Sequence, residues 1–217
     1  MGCMSQLPAS DGRRARGDLT RRRTARAAAD IATTHGLDSI SVGSLAGATG
    51  LSKSGILTVF GNREAIQLAA VAEARQVYVD AVIAPAWGEP SGERRLRAIV
   101  DAWLAYLLER TFPGGCFISA ASVEYGHRDG PVADAVRKLK AEWLHLLEHQ
   151  LAAAGSSRPE DDAFRLDAFL AMGNARRELF GDDAELTRAH ALALAVIDQL
   201  PPTKSNASRR SASHDPS

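Results

Sequence analysis

Three residues in the second half of the chain have the types and spacing of a zinc site. His145, Glu148 and His149 follow the pattern H-x-x-E-H, in which two histidines bind the metal and the glutamate acts as a base. On a helix, both histidines share a face with Lys138 and Glu142, which we expect to face solvent. No third ligand motif is visible. We therefore predict no metal, cofactor or catalytic residue, with a metal-dependent hydrolase as the alternative.

A second reactive group is the thiol of Cys116, which follows two glycines and precedes a phenylalanine. A redox sensor needs a cationic neighbour to lower the thiol pKa, and no Lys, Arg or His lies immediately beside it. We predict a buried packing cysteine. The only other cysteine is Cys3, so the chain has no disulfide framework and fits a reducing compartment.

The most informative stretch is residues 42–60, VGSLAGATGLSKSGILTVF, which has the pattern of two short helices joined by a glycine turn. Ala46 is small enough for the two helices to touch, and Gly50 suits a corner with positive φ. Ser41 and Ser52 stand where N-caps are wanted. One apolar face of each helix is supplied by Leu45, Leu51, Ile56 and Val59. This is a helix-turn-helix, whose second helix can enter a DNA major groove.

Side chains on the outward face of that second helix are the candidate DNA contacts. Ser54 and Thr58 are i, i+4 neighbours that can reach base edges or phosphates, and Gly55 allows close backbone approach. Arg63, beside an N-terminus capped by Asn62, can hold a phosphate. An ordinary solvated helix face is the alternative. The predicted DNA-binding residues from this pattern are Ser41, Ser52, Lys53, Ser54, Gly55, Thr58 and Arg63. Arg21 is added from the arginine run 21–23, which we expect to follow the DNA backbone or the minor groove, with a solvated charge run as the alternative.

Composition and charge fit this interpretation. Apolar residues make up 45% of the 217 residues and aromatic residues 6%, with few strand-favouring runs, so we expect an all-α protein. Residues 1–64 hold nine Lys/Arg and five Asp/Glu, a net charge of +4, and residues 65–217 carry −4. A basic front end suits phosphate. No apolar run could span a bilayer or form a signal peptide, so we expect no membrane partner and a cytoplasmic location.

The elements that must position these residues divide the chain into four parts. We predict a flexible basic arm over 1–17, a three-helix DNA-binding domain over 18–64, a domain of about six helices over 65–200, and a disordered tail over 201–217. The first helix is expected to begin at Asp18. A long helix from Asn62 is expected to end before Pro85 and to connect the two domains.

The order of these elements resembles the TetR family of bacterial transcriptional regulators, most specifically over residues 20–68. The segment GLSKSGILTVFGNREAIQLA is similar to the family signature GVSKGTLYYYFKSKEEL. The segments 113–117 and 173–182 are similar to the C-terminal domain of one subgroup. Leu57 stands where the family often has a tyrosine that contacts phosphate, which adds Leu57 to the DNA-binding candidates. The resemblance implies a homodimer with a C-terminal domain that binds a small effector.

Large apolar residues from different helices of the second domain could line an effector cavity, which is typically apolar with few polar groups. Plain core packing is the alternative. The candidates are Trp103, Leu107, Phe117, Trp143, Leu147 and Phe169. Small residues on the last two helices, such as Ala168 and Gly173, would permit a dimeric four-helix bundle, although an intramolecular core would show similar periodicity.

Taken together, the sequence predicts a transcription regulator, acting as a repressor that a small, mostly apolar effector releases from a near-palindromic operator in double-stranded DNA. A helical protein-interaction module with a vestigial helix-turn-helix is the second alternative. Salt-dependent DNA binding would separate the two.

Overall fold

The computed structural model describes the backbone of residues 9–201 and the side chains of residues 17–201. Within that range the chain forms nine α-helices and no strand, as the composition predicts. A 3-10 turn, Leu37–Ser39, precedes the second helix. The helices are α1 (Ala9–His35), α2 (Val42–Thr49), α3 (Lys53–Phe60), α4 (Arg63–Tyr78), α5 (Glu93–Leu108), α6 (Phe117–Glu124), α7 (Pro131–Ala153), α8 (Pro159–Phe180) and α9 (Ala184–Asp198).

The first helix is longer than the sequence pattern predicts. It begins at Ala9 rather than Asp18, so residues 9–17 are helical and not an irregular arm. Alanine and arginine, which dominate this segment, favour the helix even without an apolar stripe to bury. Residues 1–8 of the predicted arm and residues 202–217 of the predicted tail lie outside the described residues.

The long fourth helix also continues past its predicted end. After Tyr78 the chain makes a π-turn over Val79–Ile83 and one further α-helical turn, Ala84–Ala86, so Pro85 lies inside the helical segment and not beyond it. Proline has no N–H and its ring crowds the carbonyl four residues back. In the wider π-turn, the Ala84 N–H donates to the Val79 carbonyl five residues back. The change of pitch just before Pro85 accommodates the ring.

One apolar core runs through both predicted domains. It extends from Ala28 in α1 through Tyr78 in α4 to Val196 in α9. In this core, α1 packs on α4, α4 packs on α7, and α8 packs on both α7 and α9. The predicted boundary at residues 64 and 65 falls in the first turn of α4, so one helix serves both domains. None of the described helices is long and apolar enough to cross a membrane.

The two domains meet first where the backbone of the α5–α6 loop touches the end of α1. A Cβ atom added to Gly114 would lie 2.0 Å from the carbonyl oxygen of Thr33. The Gly114 N–H donates to Thr33 Oγ1 at 3.2 Å. Arg26 donates to the Thr111 carbonyl, and its guanidinium lies 4.4 Å from the centre of the Phe112 ring. The glycine is required because the two backbones approach too closely for a side chain.

A second, polar contact joins the end of α6 to the 3-10 turn. The two oxygens of Glu124 accept the N–H groups of Leu37 and Asp38 at 2.6 and 2.8 Å. Asp38 in turn pairs with Arg128 at 3.0 Å, from the loop after α6. We call the two contacts together the interdomain seam. The seam and the shared core fix the position of α2 and α3 relative to the C-terminal helices.

We expect Gly114→Ala to lower the free energy of unfolding by about 1–3 kcal/mol, because the added methyl group meets a backbone carbonyl that has little room to move. Gly88→Ala is the matched control, since a Cβ atom at Gly88 meets nothing within 4 Å. Urea denaturation followed by circular dichroism measures both. Equal stability of the two variants would contradict the close approach.

The seam should also contribute to the pH dependence of stability. Hydrogen bonds from Arg128 and then Arg63 hold the pKa of Asp38 below its ordinary value of 3.8. The Asp38 carboxylate therefore makes its full contribution to the free energy of unfolding above pH 3.8. This contribution is lost as the pH falls through the lower pKa that Asp38 has in the folded protein. Because the Asp38 side chain is 47% exposed, the contribution should stay below about 1 kcal/mol.

Asp38→Asn should therefore weaken the decline in unfolding free energy as the pH is lowered from about 5 to about 3. Asp129→Asn provides the same chemical change on a fully accessible loop side chain, 99% exposed. Urea denaturation of the three proteins at several pH values is the measurement. A decline in Asp38→Asn as steep as in the unsubstituted protein would contradict the role of this carboxylate.

Candidate nucleic-acid interface and effector region

The first short helix of the helix-turn-helix begins with the reciprocal cap that its sequence predicts. Ser41 Oγ accepts the Ser44 N–H at 3.0 Å, and Ser44 Oγ accepts the Ser41 N–H at 3.0 Å. Gly50 follows α2 in the left-handed region, with φ of 72°, and its N–H donates to the Ala46 carbonyl. The turn therefore depends on a backbone conformation that is cheap for glycine.

The second short helix, α3, has one buried face and one face exposed to solvent. Ser52 Oγ accepts the Gly55 N–H at 3.1 Å and caps the helix. Ile56 and Phe60 are buried. The opposite face is exposed and consists of Lys53, Ser54, Leu57 and Thr58. Four of the predicted DNA contacts thus lie on one solvent-facing strip of a single helix.

The hydroxyl groups of two of these residues, Thr58 and Ser54, already have hydrogen-bond partners near α3. Thr58 Oγ1 donates to the Ser54 carbonyl at 2.8 Å, which leaves the lone pairs of the Thr58 hydroxyl available as acceptors. Ser54 Oγ lies 3.2 Å from Ser52 Oγ. Gly55 is half-buried, and a Cβ atom there would lie 3.1 Å from Ser52 Oγ. A larger residue at position 55 would therefore crowd the Ser52 hydroxyl that caps α3.

Arg21 has a structural contact that sequence reasoning did not foresee. Its Nη1 donates to the Val59 carbonyl at 3.0 Å, and its guanidinium lies 4.8 Å from the centre of the Phe60 ring. A cation at the last carbonyls of a helix is favourable, since these groups carry partial negative charge. Arg21 therefore fastens the end of α3 to α1. Contact between Arg21 and DNA remains a prediction.

Arg63 is likewise engaged by other residues of the protein, although its side chain is half exposed. Its Nε donates to the Ile40 carbonyl at 2.9 Å, and its Nη2 pairs with Asp38 at 2.9 Å. Asn62 caps α4 as predicted, because its side-chain oxygen accepts the Ala65 N–H at 2.8 Å. Arg63 thus extends the interdomain seam to α4. Its predicted phosphate contact would have to share the guanidinium with Asp38.

The two histidines of the H-x-x-E-H segment lie on the outer face of α7. Trp143 and Leu147 are buried on the inner face of α7, and the side chains of His145 and His149 are exposed on the outer face, as the helical phase predicts. Among residues with described side chains, no group of three or more His, Cys, Asp or Glu could hold a metal ion.

Cys116 is buried, and burial raises the pKa of its thiol. A neutral thiol is a poor nucleophile, which matches the predicted packing role. Its backbone N–H donates to Asn174 Oδ1 at 2.9 Å and ties the start of α6 to α8.

The predicted effector residues separate into two groups. Trp103 and Trp143 line a small cavity of about 10 Å³ between α4, α5, α6, α7 and α8. Phe117, Leu107 and Leu147 are buried in the core but do not line that cavity, and Phe169 is only partly buried. Four of the six candidates therefore pack in or against the core and do not line this cavity.

Sequence reasoning missed three residues that line the cavity with the two tryptophans: Tyr78, Lys140 and Asp167. Lys140 Nζ lies 2.6 and 2.7 Å from the two oxygens of Asp167. Trp143 Nε1 donates to the same carboxylate at 3.0 Å. No local pattern in the sequence shows that Lys140 on α7 faces Asp167 on α8.

Comparison with known proteins supports the assignment that the fold suggests. Residues 92–193 match the family model described as the tetracyclin repressor-like, C-terminal domain. A comparison with curated proteins finds no match.

Solved structures share the fold at low sequence identity. A TetR transcriptional regulator from Chloroflexus aurantiacus superposes with a TM-score of 0.76 at 21% identity, over 86% of this chain and 98% of that chain. A TetR-family regulator from Cytophaga hutchinsonii gives 0.75 at 17% identity, over 92% and 100%. One from Streptomyces coelicolor gives 0.73 at 19%, over 84% and 96%.

The family model covers most of the C-terminal helices, and the structural similarity covers 86% of the chain. Residues 92–193 thus match a tetracyclin repressor-like C-terminal domain, and the chain has the fold of TetR-family transcriptional regulators.

Proposed function

We propose that the protein binds a specific site in double-stranded DNA through α3 and regulates transcription there. The observation that carries this proposal is the form of α3, whose inner face is buried while Lys53, Ser54 and Thr58 project outward together. The helix is capped by Ser52 at one end and fastened by Arg21 at the other. Such a fixed, protruding polar helix is what a major groove admits. We expect the protein to act in the cytoplasm, where bacterial DNA lies.

The outer face of α8 supports a homodimer. Phe164, Met172 and Leu179 are 74%, 58% and 76% exposed. With the exposed Ala168 and Ala175 they form one stripe at helical spacing. An apolar stripe of this length on a folded chain indicates a covered surface, and the four-helix bundle of α8 and α9 with their twofold copies covers it.

Some of the small residues that the sequence suggested for the dimer interface instead pack within one chain. A Cβ atom at Gly173 would lie 2.2 Å from the Cβ atom of Ala189, so this pair brings α8 and α9 of one chain together. Leu186 and Ala193 of α9 are also buried. Leu192, 43% exposed, is a large apolar residue of α9 that remains available to a partner.

We further propose that an effector in the C-terminal domain releases the protein from its operator, which makes it a repressor. Helix α4 starts at the DNA-binding domain and reaches the cavity at Tyr78, just before the π-turn. A ligand that displaces Tyr78 would tilt α4 and change the separation of the two α3 helices, which must match half-sites about 34 Å apart. The switch depends on the effector binding the two conformations with different affinity.

DNA binding can be tested by selecting bound fragments from random duplexes and measuring affinity for the enriched site by fluorescence anisotropy. We expect an enriched, near-palindromic sequence and steep weakening with salt. Lys53→Ala should weaken binding about tenfold and lower the salt slope by about two, since a dimer loses two phosphate contacts.

Lys138→Ala is the control for this experiment, because Lys138 is an exposed lysine on α7, away from α3. Its affinity and salt slope should equal those of the unsubstituted protein. Selection without enrichment, or affinity that does not change with salt, would favour the helical interaction module with a vestigial helix-turn-helix.

The dimer can be tested by placing a charge in the centre of the stripe. Met172→Glu should shift the protein from dimer to monomer, since the two copies of the new carboxylate would be buried without partners. Sedimentation equilibrium measures the shift. Val123→Glu, at an aliphatic residue 83% exposed on α6, should leave the dimer intact. A dimer that persists in Met172→Glu would place the interface elsewhere.

A further inference from the structure

The cavity beside Trp143 contains a charged pair that packing alone does not require. The side chains of Lys140 and Asp167 are 25% and 20% exposed, and the ammonium group of Lys140 contacts both carboxylate oxygens. The indole N–H of Trp143 fixes one of those oxygens. The carboxylate is therefore held in place by α7 and α8 whether or not Lys140 stays.

Three aromatic side chains lie in the cavity wall around this pair, among smaller apolar and polar residues. They are Tyr78, Trp103 and Trp143. Tyr78 packs edge-to-face on Trp143, with ring centres 5.5 Å apart and ring planes at 86°. Aromatic rings beside a carboxylate can hold an organic cation, which pairs with the carboxylate and, where it reaches a ring face, with the negative potential of that face.

The charged groups of Lys140 and Asp167 differ in how far they can move. Lys140 has a long, flexible stem and lies near the surface, so its ammonium group can move into water. Asp167 has a short side chain and cannot follow. If Lys140 leaves, a partly buried carboxylate remains among aromatic rings with one N–H donor. Such a group requires a new cation.

Space for a ligand body lies on the other side of Tyr78 and Trp143. A groove of about 140 Å³ shares these two rings with the cavity. Its other walls are the apolar Val79, Ile83, Leu139 and Leu146 and the ion pair of Arg75 with Glu142. The cavity itself holds about 10 Å³, close to one water molecule. Movement of the two rings would join the groove to the cavity.

We propose that the effector of this protein is a small organic cation, whose ammonium group replaces Lys140 on Asp167 and whose apolar body occupies the groove. This inference rests on the proposed effector-controlled function and names its ligand class. An anionic ligand is the reverse case, since it would pair with Lys140 and leave Asp167 as a like charge beside it. The Lys140 ammonium therefore occupies the ligand's position in the unliganded protein.

The test uses the full chain without DNA and benzyltrimethylammonium as the probe, with binding followed by tryptophan fluorescence and calorimetry. Lys140→Met should bind the probe about tenfold more tightly than the unsubstituted protein, because the competing ammonium is gone. Asp167→Asn should bind it about tenfold more weakly, because the carboxylate is lost. Lys138→Met should bind it like the unsubstituted protein.

Two comparison compounds test the charge of the ligand. Neopentylbenzene, the neutral isostere, and the anion phenylacetate should bind Lys140→Met more weakly than the probe does. No probe binding by Lys140→Met, equal binding of the neutral isostere, or binding of phenylacetate that disappears in Lys140→Met would each overturn the inference. Affinity for the selected DNA site, measured on the same preparations, tests the proposed function separately.

Discussion

The structure depends on the close approach of two backbones at Gly114 and Thr33. This contact brings the loop before α6 against the end of α1, and Glu124 and Asp38 can then meet at the other end of α6. Because α2 and α3 are only eight residues each, they bury too little apolar surface to hold their own orientation. Their position comes from the core that they share with α1 and α4, and from the interdomain seam.

This arrangement makes α4 the connection between the proposed operator and the proposed effector site. Its first turn is joined to the seam through Arg63, and its last residue, Tyr78, lines the cavity. Beyond Tyr78 the π-turn leaves the helix with a wider pitch. A displacement of Tyr78 can therefore pass toward α3 along a regular helix, while the chain beyond it adjusts. The cavity beside Trp143 is the part of the molecule where charge and aromatic surface meet α4.

The candidate DNA surface was largely accessible to sequence reasoning, whereas the cavity was not. The periodicity of Leu45, Ile56 and their neighbours defines the buried face of the helix-turn-helix, so the outward face follows by exclusion. Arg21 and Arg63 were assigned to phosphate because their charge is visible in the sequence, but their partners Val59 and Asp38 are distant in the chain. Lys140 and Asp167 are also distant in the chain, so no local pattern in the sequence indicates that they form a pair.

The sequence by itself determined the helices, their caps and the glycine corner, because these depend on interactions within about four residues. Ser41, Ser52 and Asn62 each cap the helix that their position predicts. Only the tertiary structure decided which charges meet and which large apolar residues line a cavity. Those features depend on the relative positions of helices far apart in the chain, which are fixed by packing and close backbone contacts rather than by local preference.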